Sequence, residues 1–137
     1  FTRCPGPCAD LTRLMRRVQD ALPTDSRAGL MSVTSDPEFD TPLVLAAYGQ
    51  RFGASTGRWQ FVTGSLREVR RLATEELLLV VQEKPEGQRA TPDDLFLHST
   101  LVVIMDGRGR LRTAVEGLEA GAEGKILAAL RQLEAED

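Results

Sequence analysis

Short apolar runs alternate along this chain with segments of helical period, and that alternation limits the fold more than any other feature. Residues 28–34 (AGLMSVT), 59–63 (WQFVT) and 99–105 (STLVVIM) suit buried strands, and 77–83 (LLLVVQE) is a further apolar, β-branched run. Between and around them lie helical segments. Residues 8–22 place Leu11, Leu14, Met15, Val18 and Leu22 on one face, and Pro23 ends the run. A second helix over 42–52 has Pro42 near its first position, Asp40 or Thr41 as cap, and Gly53 as its stop. A short helix over 65–74 follows, and a final one over 119–134 carries Ile126, Leu127, Leu130 and Leu133. The stretches 35–42 and 84–94 are rich in Asp, Pro and Thr and read as loops. Asp106-Gly107 turns the strand 99–105 into 110–115, a β-hairpin. Strands that alternate with helices need parallel crossovers, and a terminal hairpin plus helix closes the sheet with an antiparallel edge. The expectation is an α/β fold with a mixed central sheet flanked by helices. No repeat or low-complexity tract suggests a second domain.

Composition narrows the function. The chain has 137 residues with Lys+Arg 17 against Asp+Glu 20, a net charge of -3. That balance gives no footing for nucleic acid or an anionic membrane surface. No stretch reaches the roughly 18 apolar residues of a membrane span. A signal-peptide pattern is absent at the start, and the chain opens on Phe1 directly before its cysteines.

The two cysteines stand in Cys4-Pro5-Gly6-Pro7-Cys8, just ahead of the first helix. Two cysteines make no disulfide framework, and so short a loop would stabilise little if closed. Spacing leaves three readings open: a shared metal, a redox pair, or an inert pair. The helix N-terminus favours thiolate through its dipole and unpaired N–H groups, and Arg3 adds positive charge.

Thiolates are soft ligands that select Cu(I), Zn(II) or iron–sulfur chemistry. Structural zinc takes four protein ligands, whereas this chain offers two Cys and one His. Three such donors match a trigonal Cu(I) site better. The single histidine, His98, stands immediately before the 99–105 strand, in a place where α/β folds carry sites. Its bland reading is a partly buried ring bonded to a neighbouring carbonyl, and spacing alone does not set it beside the sulfurs. In the loop Asp36-Pro37-Glu38-Phe39-Asp40-Thr41-Pro42, Asp40 reads as a helix cap, and Asp36 as a turn residue or a weak extra metal ligand. Trp59, Tyr48, Met15, Met31 and Met105 read as core or packing residues. No phosphate loop and no nucleophile elbow is present.

Taken together, several segments resemble the Sco/SenC family of thioredoxin-fold copper proteins, which serve cytochrome c oxidase assembly. They are Phe1-Thr2-Arg3-Cys4-Pro5-Gly6-Pro7-Cys8, Ser32-Val33-Thr34-Ser35-Asp36-Pro37-Glu38-Phe39-Asp40-Thr41-Pro42, Tyr48-Gly49-Gln50-Arg51-Phe52-Gly53 and Trp59-Gln60-Phe61-Val62-Thr63-Gly64. Leu97-His98-Ser99-Thr100 and Asp106-Gly107-Arg108-Gly109 complete the set, in the family's order and covering most of residues 1–117. The resemblance implies a single thioredoxin-like domain over 1–137. The family's domain also has an N-terminal hairpin and a central strand before this first segment, so those strands are expected to be missing here. It further implies that Cys4 and Cys8 are the copper and redox cysteines, that His98 is the histidine ligand, and that Asp36 assists copper binding or transfer. One copper ion, Cu(I) or Cu(II), is the implied cargo.

The implied partners are the copper-bearing subunit of cytochrome c oxidase or another copper chaperone. The implied location is the periplasmic face of the bacterial cytoplasmic membrane, or the mitochondrial intermembrane space. Any membrane attachment would run through an anchor outside this sequence. Two functions follow: a metallochaperone, which is not an enzyme, or a thiol–disulfide oxidoreductase that reduces the copper-ligating cysteines of an oxidase subunit. The CxxxC spacing, unlike the CxxC of thioredoxins, favours the first.

Overall fold

Val18 and Leu14, both almost wholly buried on one face of the first helix, fix where the core lies. The computed structural model describes residues 1–136. Its elements run α1 (Cys8–Ala21), β1 (Leu30–Val33), α2 (Pro42–Arg51), β2 (Trp59–Val62), α3 (Leu66–Arg71), β3 (Val81–Glu83), β4 (Phe96–His98), β5 (Leu101–Met105), β6 (Leu111–Glu116) and α4 (Ala122–Glu136). A π-helical turn, Leu72–Glu76, extends α3, and a short 3-10 turn, Glu86–Gln88, lies between β3 and β4.

β1 and β2 pair in parallel from Leu30–Trp59 to Val33–Val62, with α2 as the crossover. β5 and β6 pair antiparallel around the Asp106 turn, with an irregularity at Ile104/Met105. β3 and β4 form a third, antiparallel pair in which Val81 faces His98. The expected single central sheet is thus present as three two-stranded sheets among the described residues. One core unites two of these pairs with α1 and α4: Leu14 and Val18 meet Leu30, Trp59, Ile104, Val115, Ala122 and Ile126. Trp59 Nε1 keeps its hydrogen bond by donating to Ser32 Oγ at 3.0 Å, so the buried indole leaves no polar group unpaired.

Several expectations shift. Met31 and Met105 are 60% and 42% exposed rather than core, because each occupies an outward position of its strand. Only residues 81–83 of the 77–83 run form a strand, and Leu78 adopts positive φ just before it. His98 does not merely precede a strand, since it ends β4, which the loop-like sequence before it concealed. The final helix begins at Ala122 rather than at 119. Thr41 caps α2 by accepting from the Val44 N–H, while Asp40 is engaged elsewhere.

Candidate metal centre

Three backbone features bring the site together at one end of the fold. Pro7 and Pro5 restrict the entry to α1, so the chain turns into the helix with Cys8 as its first helical residue. β1 delivers the loop that begins at Thr34 to the same end. β4 then runs its last residue, His98, against the start of α1.

The result is a convergent donor set. His98 Nε2 lies 3.2 Å from Cys8 Sγ and 3.9 Å from Cys4 Sγ. All three donor atoms lie within 4.8 Å of one another, and no other such His/Cys/Asp/Glu group occurs among the described residues. A trigonal ion with metal–sulfur and metal–nitrogen bonds of about 2.3 and 2.0 Å would set its donors about 4 Å apart, so the set fits one ion with little movement.

The imidazole is already aimed. Nδ1 lies 3.1 Å from the Ser99 carbonyl, which can only accept, so Nδ1 carries the proton and Nε2 keeps its lone pair toward the sulfurs. The bland reading of His98, a ring bonded to a neighbouring carbonyl, accounts for Nδ1 and leaves Nε2 free to face the sulfurs. The Phe1 ring packs edge-on to both His98 and Phe96, with centroids 6.0 and 5.2 Å apart, and this shields the ring on that side.

The two sulfurs differ. Cys8 is buried in the first turn of α1, with its carbonyl held by Thr12 Oγ1 at 2.7 Å, and Thr12 in turn contacts the Tyr48 hydroxyl. Cys4 lies in the loop and is half-buried. A hydrogen bond from the Cys8 thiol holds the Cys4 thiol well below its ordinary pKa, against the cost of burial, with the Cys8 and Gly6 N–H groups adding to the effect. The Cys8 thiol is driven far up by the same bond and by burial. The pair thus shares one proton, with the negative charge on Cys4 beside the helix N-terminus.

Asp36 and Asp40 are not among the clustered donors. Asp36 receives Arg3 Nη2 at 2.7 Å and Arg3 Nε at 3.1 Å. Asp40, fully buried, accepts from the Thr2 N–H at 3.0 Å and from the hydroxyls of Thr2 and Thr34. Sequence reasoning gave Thr2 and Thr34 no role of their own, and it gave Arg3 only a general electrostatic role. The adjacency of Thr2 and Arg3 to Cys4 was the one available signal.

Residues 1–134 match the SCO1/SenC family. A SCO1 protein homolog of Bacillus subtilis is 27% identical over 121 residues, covering 87% of this chain and 60% of its own length. The chain thus spans about three fifths of that relative. The structure resembles a SCO1/SenC family lipoprotein from Bacillus anthracis, with a TM-score of 0.84, 24% identity, and 98% and 77% of the two chains covered. It resembles BsSco, reported with a disulfide switch and as a member of the Sco family of cytochrome c oxidase assembly proteins, with a TM-score of 0.80, 23% identity, and 100% and 77% covered. It also resembles Arabidopsis thaliana ScoI with copper bound, with a TM-score of 0.75, 20% identity, and 96% and 80% covered. These likenesses establish the thioredoxin-like α/β fold. With a family match that runs through both cysteines and His98, the chain belongs to the SCO1/SenC family.

Proposed function

We propose that this protein binds one copper ion through Cys4, Cys8 and His98 and passes it on, as a metallochaperone, toward the binuclear copper centre of cytochrome c oxidase. The observation that carries the reading is the convergence of the chain's single histidine on both of its cysteines, with the imidazole lone pair facing the sulfurs. Two sulfurs and one imidazole leave zinc short of its usual four ligands and suit Cu(I). A Sco relative has copper bound, and another belongs to the cytochrome c oxidase assembly proteins, which supports both cargo and destination. Transfer proceeds by ligand exchange. An acceptor thiolate forms a bond to copper as the Cys4 sulfur leaves it, and no electron changes hands.

A second reading rests on the same thiols. The Cys4 thiolate attacks a disulfide in a partner, and Cys8 then resolves the mixed disulfide. The partner gains two electrons and two protons, one proton from the Cys8 thiol and one from water, and Cys4 and Cys8 are left as a disulfide. The disulfide switch described for BsSco supports this use. Both readings suit an oxidising compartment such as the periplasmic face of a membrane, where a lipoprotein relative would be held. No helix among the described residues is long and apolar enough to cross a membrane.

The test is a Cu(I) titration of the fully reduced protein against a competing chelator, alongside Cys4→Ser, Cys8→Ser and His98→Ala. One tight equivalent, lost without either cysteine and weakened without His98, is expected. Weak binding indifferent to His98 would leave thiol exchange as the function.

A further inference from the structure

Of the three donors, two are built into regular structure, Cys8 in α1 and His98 at the end of β4. Cys4 is held only by its loop, so its place depends on what fastens the residues before it. Arg3 meets three residues from two separate loops there. Its guanidinium bonds Asp36 through two nitrogens, lies 4.0 Å over the Phe39 ring, and stands 3.8 Å from Asp93 in the loop that leads into β4. Asp36 is nearly inaccessible, its side chain 8% exposed against 31% for Arg3, so the guanidinium stands where water would otherwise meet the carboxylate. Its backbone is fixed too: the Asp36 N–H donates to Thr34 Oγ1 and its carbonyl accepts from Asp40 N–H, both at 2.9 Å. Thr2, one residue earlier, is gripped by Asp40.

We propose that Arg3 is a positioning residue whose fork onto Asp36 clamps the Cys4 loop against the β1–α2 loop, and that Asp36 serves copper through Arg3 rather than as a ligand. The inference rests on the copper reading above. The clamp sets how readily Cys4, the least anchored donor, leaves the metal, so that opening one partly exposed ion pair releases the cargo from one side.

The experiment measures two rates in wild type, Arg3→Ala, Arg3→Lys, Asp36→Asn and the double variant Arg3→Ala/Asp36→Asn, each confirmed folded by circular dichroism. One is Cu(I) release to a chelator, and the other is alkylation of Cys4 in the metal-free dithiol form. Arg3→Ala and Asp36→Asn are each expected to speed release on the order of tenfold, as loss of a charge-assisted, two-nitrogen contact implies, with one equivalent still bound. The double variant should be no faster than either single one, because both remove the same contact. Arg3→Lys, which keeps the charge without the fork, should fall between. Cys4 alkylation should quicken in the same order.

Unchanged rates in Arg3→Ala would overturn the clamp. So would additive effects together with a change in the visible spectrum of the Cu(II) form in Asp36→Asn but not in Arg3→Ala, which would make Asp36 a ligand. If no variant and not the wild type binds copper, the copper reading fails, and the alkylation series still decides the clamp.

Discussion

His98 Nε2 stands 3.2 Å from Cys8 Sγ, although 90 residues separate the two in sequence. Their meeting depends on the short β3–β4 pair, in which His98 faces Val81, and on the Ser99 carbonyl that fixes the ring's tautomer. Removing a group that merely orients a metal ligand costs roughly 10–100-fold in affinity. Loss of the donor itself should cost more. His98→Ala is therefore expected to weaken Cu(I) binding by about 100-fold or more while leaving the thermal midpoint nearly unchanged, as checked by competition titration and calorimetry.

The shared proton of the cysteine pair makes the two thiols unequal. A free thiol with a pKa of about 8.5 loses reactivity about tenfold for each pH unit below it. The pKa of Cys4 is depressed, so it remains thiolate through the neutral range. Iodoacetamide should label Cys4 first, at a rate nearly flat from about pH 6 to 8. Cys8, whose pKa is raised and which is buried, should label slowly throughout. Peptide mass mapping after timed quenching reads both rates. Equal labelling with an ordinary thiol pH profile would contradict the arrangement.

How far the sequence revealed these features follows from the range of the interactions. Periodicity sufficed for α1, α2 and the β5–β6 hairpin, because each is set by local spacing and by Pro or Gly stops. It failed at β4, where three residues behind a Pro- and Asp-rich loop pair only with distant β3. It also placed Met31 and Met105 in the core, since an apolar run does not say which alternate positions face outward. The cysteine pair and the lone histidine were legible as chemistry. The Arg3–Asp36 and Thr2–Asp40 contacts, 33 and 38 residues apart, were not, because nothing local pairs them.

Gly117 sits where α1 crosses the start of β5. A Cβ there would lie 2.4 Å from Leu11 Cδ2 and 2.9 Å from the Thr100 carbonyl oxygen, which also accepts the Gly117 N–H. The Thr100 contact is to backbone, so it cannot swing aside. Gly117→Ala is expected to destabilise by about 2 kcal/mol, the cost typical of overpacking. For a chain of this size that lowers the thermal midpoint by about 6–10 °C. An unchanged midpoint would mean the crossing is looser than the structure has it.

Asp106 closes the hairpin turn by accepting from the Arg108 and Arg110 N–H groups and from the Arg110 side chain. The Arg110 side chain first, then these backbone bonds, hold its carboxyl well below the usual range. A depressed folded-state value means the group stabilises the fold above the ordinary carboxylate pKa of about 3.9 and loses that contribution as pH falls further. Asp106→Asn should therefore melt lower than wild type at pH 7, with the gap closing below about pH 4. A gap that persists unchanged into acid would assign the loss to something other than the charge.

X-ray absorption of the one-to-one Cu(I) adduct, prepared anaerobically, tests the metal centre most directly. Two sulfurs and one imidazole nitrogen are predicted around a three-coordinate ion, with the nitrogen contribution gone in His98→Ala. A sulfur-only shell in the wild type, or one that His98→Ala leaves unchanged, would contradict it.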